Sequence, residues 1–167
     1  MSVLSIAPIL SGLGRSKKTD FRELPDEECA EKSGTGDTDA FAELVRRYQN
    51  RVYRYIKRMT GSEEEARDLT QETFLRVYRS LPKWNHRAQF RSWLFRVASN
   101  AAIDELRRRR DNRQQSLSGF DEPVAQQPTI EQIHYTEQRY VFLQKALNRL
   151  SETYRQPLLL RELEGMT

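Results

Sequence analysis

The sequence predicts an all-α protein: a compact helical bundle joined by a flexible linker to a second, truncated helical unit. Three observations carry this. Apolar residues recur at steps of three and four along three successive segments. Capping and stop residues punctuate those segments where helices should begin and end. A polar stretch rich in Gln, Ser and Pro then separates them from two further striped segments. Of the 167 residues, 37% are hydrophobic and 31% are charged. That balance favours small units with wetted surfaces over one large core.

Residues 1–35 read as a mobile tail. Its short apolar run is broken by Pro8, and the basic residues Arg15, Lys17 and Lys18 follow that run, whereas a signal peptide places them before it. No run approaches the roughly 20 apolar residues of a membrane span, so membrane insertion is not expected. Gly34-Thr35-Gly36 closes the tail. Cys29, the single cysteine, reads as an incidental thiol with acidic neighbours. One cysteine permits no internal disulfide, and with only two histidines there is no zinc-ligand spacing. The expectation is a cytoplasmic protein without metal or cofactor.

Asp37 or Thr38 caps the first helix. Its stripe is Phe41, Leu44, Val45, Tyr48, Val52, Tyr55, Ile56 and Met59, and Thr60-Gly61 stops it. Ser62 and Glu65 then match a capping box, and the acids that follow suit the positive end of the helix dipole. This second helix carries Ala66, Leu69, Thr73, Val77 and Leu81, widened by Phe74 and Tyr78, and Pro82 marks its end. After a loop to Gln89, a third helix starts near Phe90 and turns Trp93, Leu94, Val97 and Ala101 inward. It runs into Arg107-Arg108-Arg109-Arg110, basic residues that suit a helix C-terminus. Three helices with short connections make a bundle over 36–112. Residues 113–133 form the linker. Over 134–167, Tyr140, Leu143, Leu147 and Leu150 stripe a fourth helix. Ser151 caps a fifth that carries Leu158, Leu159, Leu160 and Leu163. Two short helices bury little apolar surface alone, so this unit reads as cut off.

The net charge is only +4, but its distribution is uneven. Residues 86–113 hold eight arginines against three acids, and residues 63–72 hold five acids against one arginine. Opposed patches on adjacent segments point to two different partners. No phosphate loop, nucleophile motif or metal spacing is present, and the carboxylates of the second helix sit on a solvated face. No catalytic residue is assigned.

The stretch 84–113 interleaves rings and cations: Trp84, Arg87, Gln89, Phe90, Arg91, Trp93, Phe95 and Arg96. Single-stranded nucleic acid requires this mixture, guanidinium groups for phosphates and flat rings for unstacked bases, with each stack worth about 1–3 kcal/mol. A loop between helices can hold a flipped base, and the arginine run can grip phosphate. Trp93 is divided between core packing and stacking. Phe90 and Phe95 point differently on a 3.6-residue helix, so one of them is expected to be exposed. A different class of protein fits the same features, a helical adaptor that binds a protein through its acidic helix and nucleic acid non-specifically.

The order of motifs resembles region 2 of bacterial sigma factors of the small extracytoplasmic-function type. It is carried by Phe41-Ala42-Glu43-Leu44-Val45, by 66–78 (ARDLTQETFLRVY), by 90–100 (FRSWLFRVASN), and by Ala102-Ile103-Asp104-Glu105-Leu106 with the arginine run. Residues 136–167 resemble the start of region 4, with Ser151 where the family usually has Pro and without the helix-turn-helix that reads the −35 element. The resemblance implies a transcription initiation factor. Its second helix would dock on the clamp helices of the largest subunit of core RNA polymerase through Asp68, Gln71, Glu72 and Phe74. Its loop and third helix would open the promoter −10 element and hold the non-template strand. Those roles fall on Asn85, His86, Arg87, Gln89, Phe90, Arg91, Trp93 and Arg96. Asn100, Asp104, Arg107 and Arg108 match positions near the duplex edge, and Arg110 joins the expected DNA contacts. Asp104 is expected to brace the helix by pairing with an arginine. No −35 duplex recognition is expected. An anti-sigma partner, common in the family, would cover the polymerase-docking surface or lie between the two units.

Overall fold

The computed structural model describes residues 20–85, 89–116 and 135–166, with side chains over 20–85, 89–112 and 138–166. Among the described residues there are six α-helices, one 3-10 turn and no strand. They are α1 (Asp26–Gly34), α2 (Thr38–Thr60), α3 (Glu63–Ser80), the turn Leu81–Lys83, α4 (Phe90–Ser116), α5 (Tyr135–Arg149) and α6 (Glu152–Glu164). No helix among the described residues is long and apolar enough to cross a membrane.

α2 is the central element and packs against each of the other five helices. Its sequence explains why. The Asp37 side chain accepts from the Asp39 and Ala40 amides at 3.0 Å, satisfying two donors that the first turn leaves open. Eight apolar residues from Phe41 to Met59 are buried, all on one broad stripe of the helix. Gly61 ends it at φ 75°, the left-handed conformation that glycine adopts without steric cost. The next residue starts α3: Ser62 Oγ accepts from the Glu65 amide at 3.3 Å. The other half of the expected capping box is missing. The Ser62 amide donates to Thr60 Oγ1, and the Glu65 carboxylate is drawn away to Arg109 of α4.

Several polar side chains in the core are paired. The Tyr55 hydroxyl and Ser99 Oγ lie 2.7 Å apart, and Ser99 also donates to the Phe95 carbonyl. Burial pushes the Tyr55 phenol up to about 12. Thr70 and Thr73 donate back to the Ala66 and Leu69 carbonyls, which lets them sit buried inside α3.

The structure corrects the expectation of a mobile tail to residue 35. Residues 26–34 form α1, and Cys29 and Ala30 are fully buried in the core. Cys29 is therefore not an incidental surface thiol; burial raises its pKa. Beyond that packing, polar contacts from α2 hold the start of α1. Arg47 donates to the carbonyls of Leu24 (2.9 Å), Phe21 (2.6 Å) and Arg22 (3.1 Å) and to Asp26 Oδ1 (2.7 Å). Its Nε reaches Glu43 at 2.8 Å. Asp26 also accepts from the Tyr48 hydroxyl. Residues 1–19 and 117–134, including most of the expected linker, lie outside the described residues.

Candidate nucleic-acid interface

α4 carries the aromatic and cationic stretch, and its packing sorts that stretch into core and surface. Phe90, Leu94, Phe95, Ala98, Ala101 and Ala102 are buried. Phe90 stands edge-on to Tyr48 (centroids 5.8 Å) and to Trp84 (6.0 Å). Phe95 meets Tyr55 at 5.6 Å with the rings perpendicular. Both phenylalanines are fully buried, so the expected exposed ring is not one of them. α4 packs against α2 and α3 together, and this widens its buried arc until it takes in both. Phe90 accordingly cannot stack on a base; it fixes the start of the helix.

Trp84 is also buried. Trp93 is half-buried and packs on Trp84 (6.1 Å) and Phe90 (5.9 Å). Of the four rings in this stretch it alone keeps appreciable contact with solvent. Gln89, Arg96, Asn100, Asp104 and Arg107 are exposed and follow Trp93's side of the helix at intervals of three and four residues, one continuous row. Arg91 is half-buried and belongs to the packed side, one turn before Leu94 and Phe95. Asn85 is exposed beside the turn; His86 and Arg87 lie outside the described residues.

The arginine run is more divided than its sequence implies. Arg107 is exposed and forms no ion pair among the described residues. Arg108 pairs with Glu105 at 2.7 Å while remaining largely exposed. Arg109 turns inward to Glu65 and to the Thr60 carbonyl, tying α4 to the α2–α3 junction. Arg110 pairs with Glu152 of α6. Glu105, and not Asp104, braces the helix against its arginines; Asp104 is exposed. Surface pairs of this kind contribute little stability, so Arg108 is readily available to an anion, whereas Arg109 is structural.

The acidic face lies next door on α3. Asp68, Gln71 and Glu72 are exposed, with Glu72 paired to Arg76 at 2.6 Å. A shallow groove between α3 and α4 is lined by Asp68, Glu72 and Arg76 on one side and Asp104, Glu105 and Arg108 on the other. Phe74 does not belong to this face. It is buried at 1% exposure, edge-on to Phe41 at 6.4 Å, so its assignment as a docking contact is corrected. The apolar stripe of α3 had already included it. Sequence reasoning missed Arg47 and Glu27. The Glu27 carboxylate accepts from the Phe90 amide at 3.2 Å, a contact across 63 positions that no local pattern encodes. The acids at the start of α1, with Lys32 near its end, were the available signal for that helix.

The two rows define a class: a helical bundle that carries oppositely charged faces on adjacent helices. Residues 44–112 match the family model Sigma-70 region 2. The chain is 36% identical to the ECF RNA polymerase sigma factor SigE of Mycolicibacterium smegmatis, over 96% of this chain and 65% of that protein. It is 31% identical to the ECF RNA polymerase sigma-E factor of Haemophilus influenzae, over 87% of this chain and 80% of that protein. The chain belongs to the ECF sigma factors of RNA polymerase. It spans somewhat under two thirds of the length of the M. smegmatis relative. Its fold is similar to that of CnrH, solved in complex with the cytosolic domain of CnrY, with a TM-score of 0.62 at 20% identity, covering 85% of this chain and 77% of that one.

Proposed function

We propose that the chain is the polymerase-binding and promoter-melting part of a transcription initiation factor, acting by binding in the cytoplasm and without catalysis. The observation that carries this is the row Gln89, Trp93, Arg96, Asn100, Asp104 and Arg107 along one side of α4, half-buried at Trp93 and exposed elsewhere, set beside the acidic face of α3. The row offers one ring and two cations to a single strand. The acids Asp68 and Glu72, with Gln71, face the clamp helices of the polymerase. Membership of the ECF family supports both assignments. An anti-sigma partner would take the α3 face or the exposed apolar residues Phe142 and Tyr154 of the C-terminal pair.

Two measurements test this reading. Asp68→Ala with Glu72→Ala should abolish or strongly weaken co-elution with core RNA polymerase while leaving the helical circular dichroism unchanged; unaltered co-elution refutes the docking face. In the second, a random single-stranded DNA pool is selected on the chain. An enriched sequence should bind more tightly than its scrambled counterpart, because base contacts carry specificity where phosphate contacts do not. Equal binding would instead support the non-specific helical adaptor.

A further inference from the structure

Two contacts join α1 to opposite ends of the segment that leads into α4. At the near end, Gly34 lies directly against the turn: a Cβ built there would stand 3.0 Å from the Leu81 carbonyl oxygen and 3.3 Å from its carbon. A side chain there would force the turn to give by a few tenths of an ångström, so glycine suits this close approach of α1 to the backbone. At the far end, the Glu27 carboxylate accepts from the Phe90 amide at 3.2 Å. That amide is one of the donors a helix start leaves without an intrahelical partner. The residue before it, Gln89, is not a preferred cap, so the cap comes from another helix.

Between these contacts lie Trp84, which is buried, and Asn85, which is exposed. Trp84 and Phe90 touch each other and Trp93. Holding Leu81 and Phe90 to one helix therefore fixes where Asn85 follows the turn and where Gln89 and Trp93 begin the row. Arg47 anchors the start of α1 through Asp26 and the segment leading into it through the carbonyls of Phe21, Arg22 and Leu24. α1 lies before the segment matched by Sigma-70 region 2.

We propose that α1 is a two-point brace for the strand-binding surface, with Glu27 and Gly34 as positioning residues that set base discrimination without touching the nucleic acid. This rests on the promoter-binding reading of α4. Glu27→Ala removes the acceptor, whereas Glu27→Gln keeps a carbonyl oxygen at the same reach. In the full chain, hydrogen exchange at the Phe90 amide should accelerate about two- to thirtyfold in Glu27→Ala, the range that losing a helix N-cap gives, and stay near wild type in Glu27→Gln. Preference for the selected single strand over its scrambled counterpart should fall in the same order. The salt dependence of binding should stay unchanged, since no phosphate contact is lost. Gly34→Ala should also reduce the preference and shift the Trp84 emission. Wild-type exchange and preference in Glu27→Ala overturn the brace, as does an equal loss in both Glu27 variants. If the wild-type chain itself shows no preference for any strand, the promoter-binding reading falls and takes the proposal with it.

Discussion

Asp68 and Phe74 sit six positions apart on one helix and answer to different forces. Asp68 is solvated and its replacement leaves packing intact. Phe74 fills the space between α2 and α3 against Phe41. Phe74→Ala should cost about 3–5 kcal/mol, since a large buried ring leaves a cavity behind. Asp68→Ala should change stability by less than about 0.5 kcal/mol. Urea unfolding of both variants checks this, and a Phe74→Ala chain as stable as wild type would contradict the packing. Lost polymerase binding in a Phe74 variant is then a folding effect before it is a contact effect. Glu43 is a second residue with a distinct signature. Hydrogen bonds from Arg46, and against burial also from Arg47, hold its carboxyl down at about 2 from an ordinary 4.5. A depressed carboxylate stabilises the fold fully above its ordinary value and loses that contribution as pH falls through the native one. Glu43→Gln should therefore be less stable than wild type at neutral pH, and the gap should close between pH 4.5 and about 2. A gap that stays constant through this window would show that the arginine contacts do not set the shift.

Elements differ in how plainly the sequence announces them. The boundaries of α2 and α3 were legible because caps and apolar steps coincide: Asp37, Gly61 and Ser62 each do what their chemistry predicts. α4 was legible as a helix but not in its faces. A single-stripe reading assumes one packed side, and α4 is packed by two neighbours, which is why Phe90 and Phe95 are both interior. α1 was not legible as part of the fold. It buries only small side chains, Cys29, Ala30 and Ser33, and its anchor is a guanidinium reaching carbonyls more than twenty residues away. The same logic divides the arginine run. Arg107→Ala should lower the salt slope of single-strand binding by about 0.7, the amount for one lost phosphate contact. Arg109→Ala should leave the slope alone and lower stability instead, because Arg109 holds Glu65 and the Thr60 carbonyl. Binding isotherms at four salt concentrations separate the two, and equal slopes for wild type and Arg107→Ala would remove Arg107 from the interface.

At the scale of the whole molecule, the question is what keeps α5 and α6 on the bundle. Leu147 and Leu159 join the core cluster, and Tyr140 lies beneath Lys57 and Arg58. The polar ties are of two kinds. Arg110–Glu152 is exposed enough for salt to screen it. Arg155 is buried at 7% exposure and donates to the Met59 and Leu150 carbonyls, close to where α2 ends. Glu164, with a side chain only 2% exposed, holds Arg51. Taking such groups out of water is costly unless every partner is present, and removing one partner leaves the other stranded. The docked arrangement should therefore depend more on the buried contacts than on the exposed pair. Arg155→Ala, which leaves the Met59 carbonyl without its donor, should increase the radius of gyration measured by small-angle scattering. Raising salt to about 0.5 M, where screening acts within a few ångströms, should leave the wild-type radius unchanged. Expansion of the wild-type chain by salt alone would mean that exposed ion pairs, and not the buried arginine and the two leucines, hold the molecule closed.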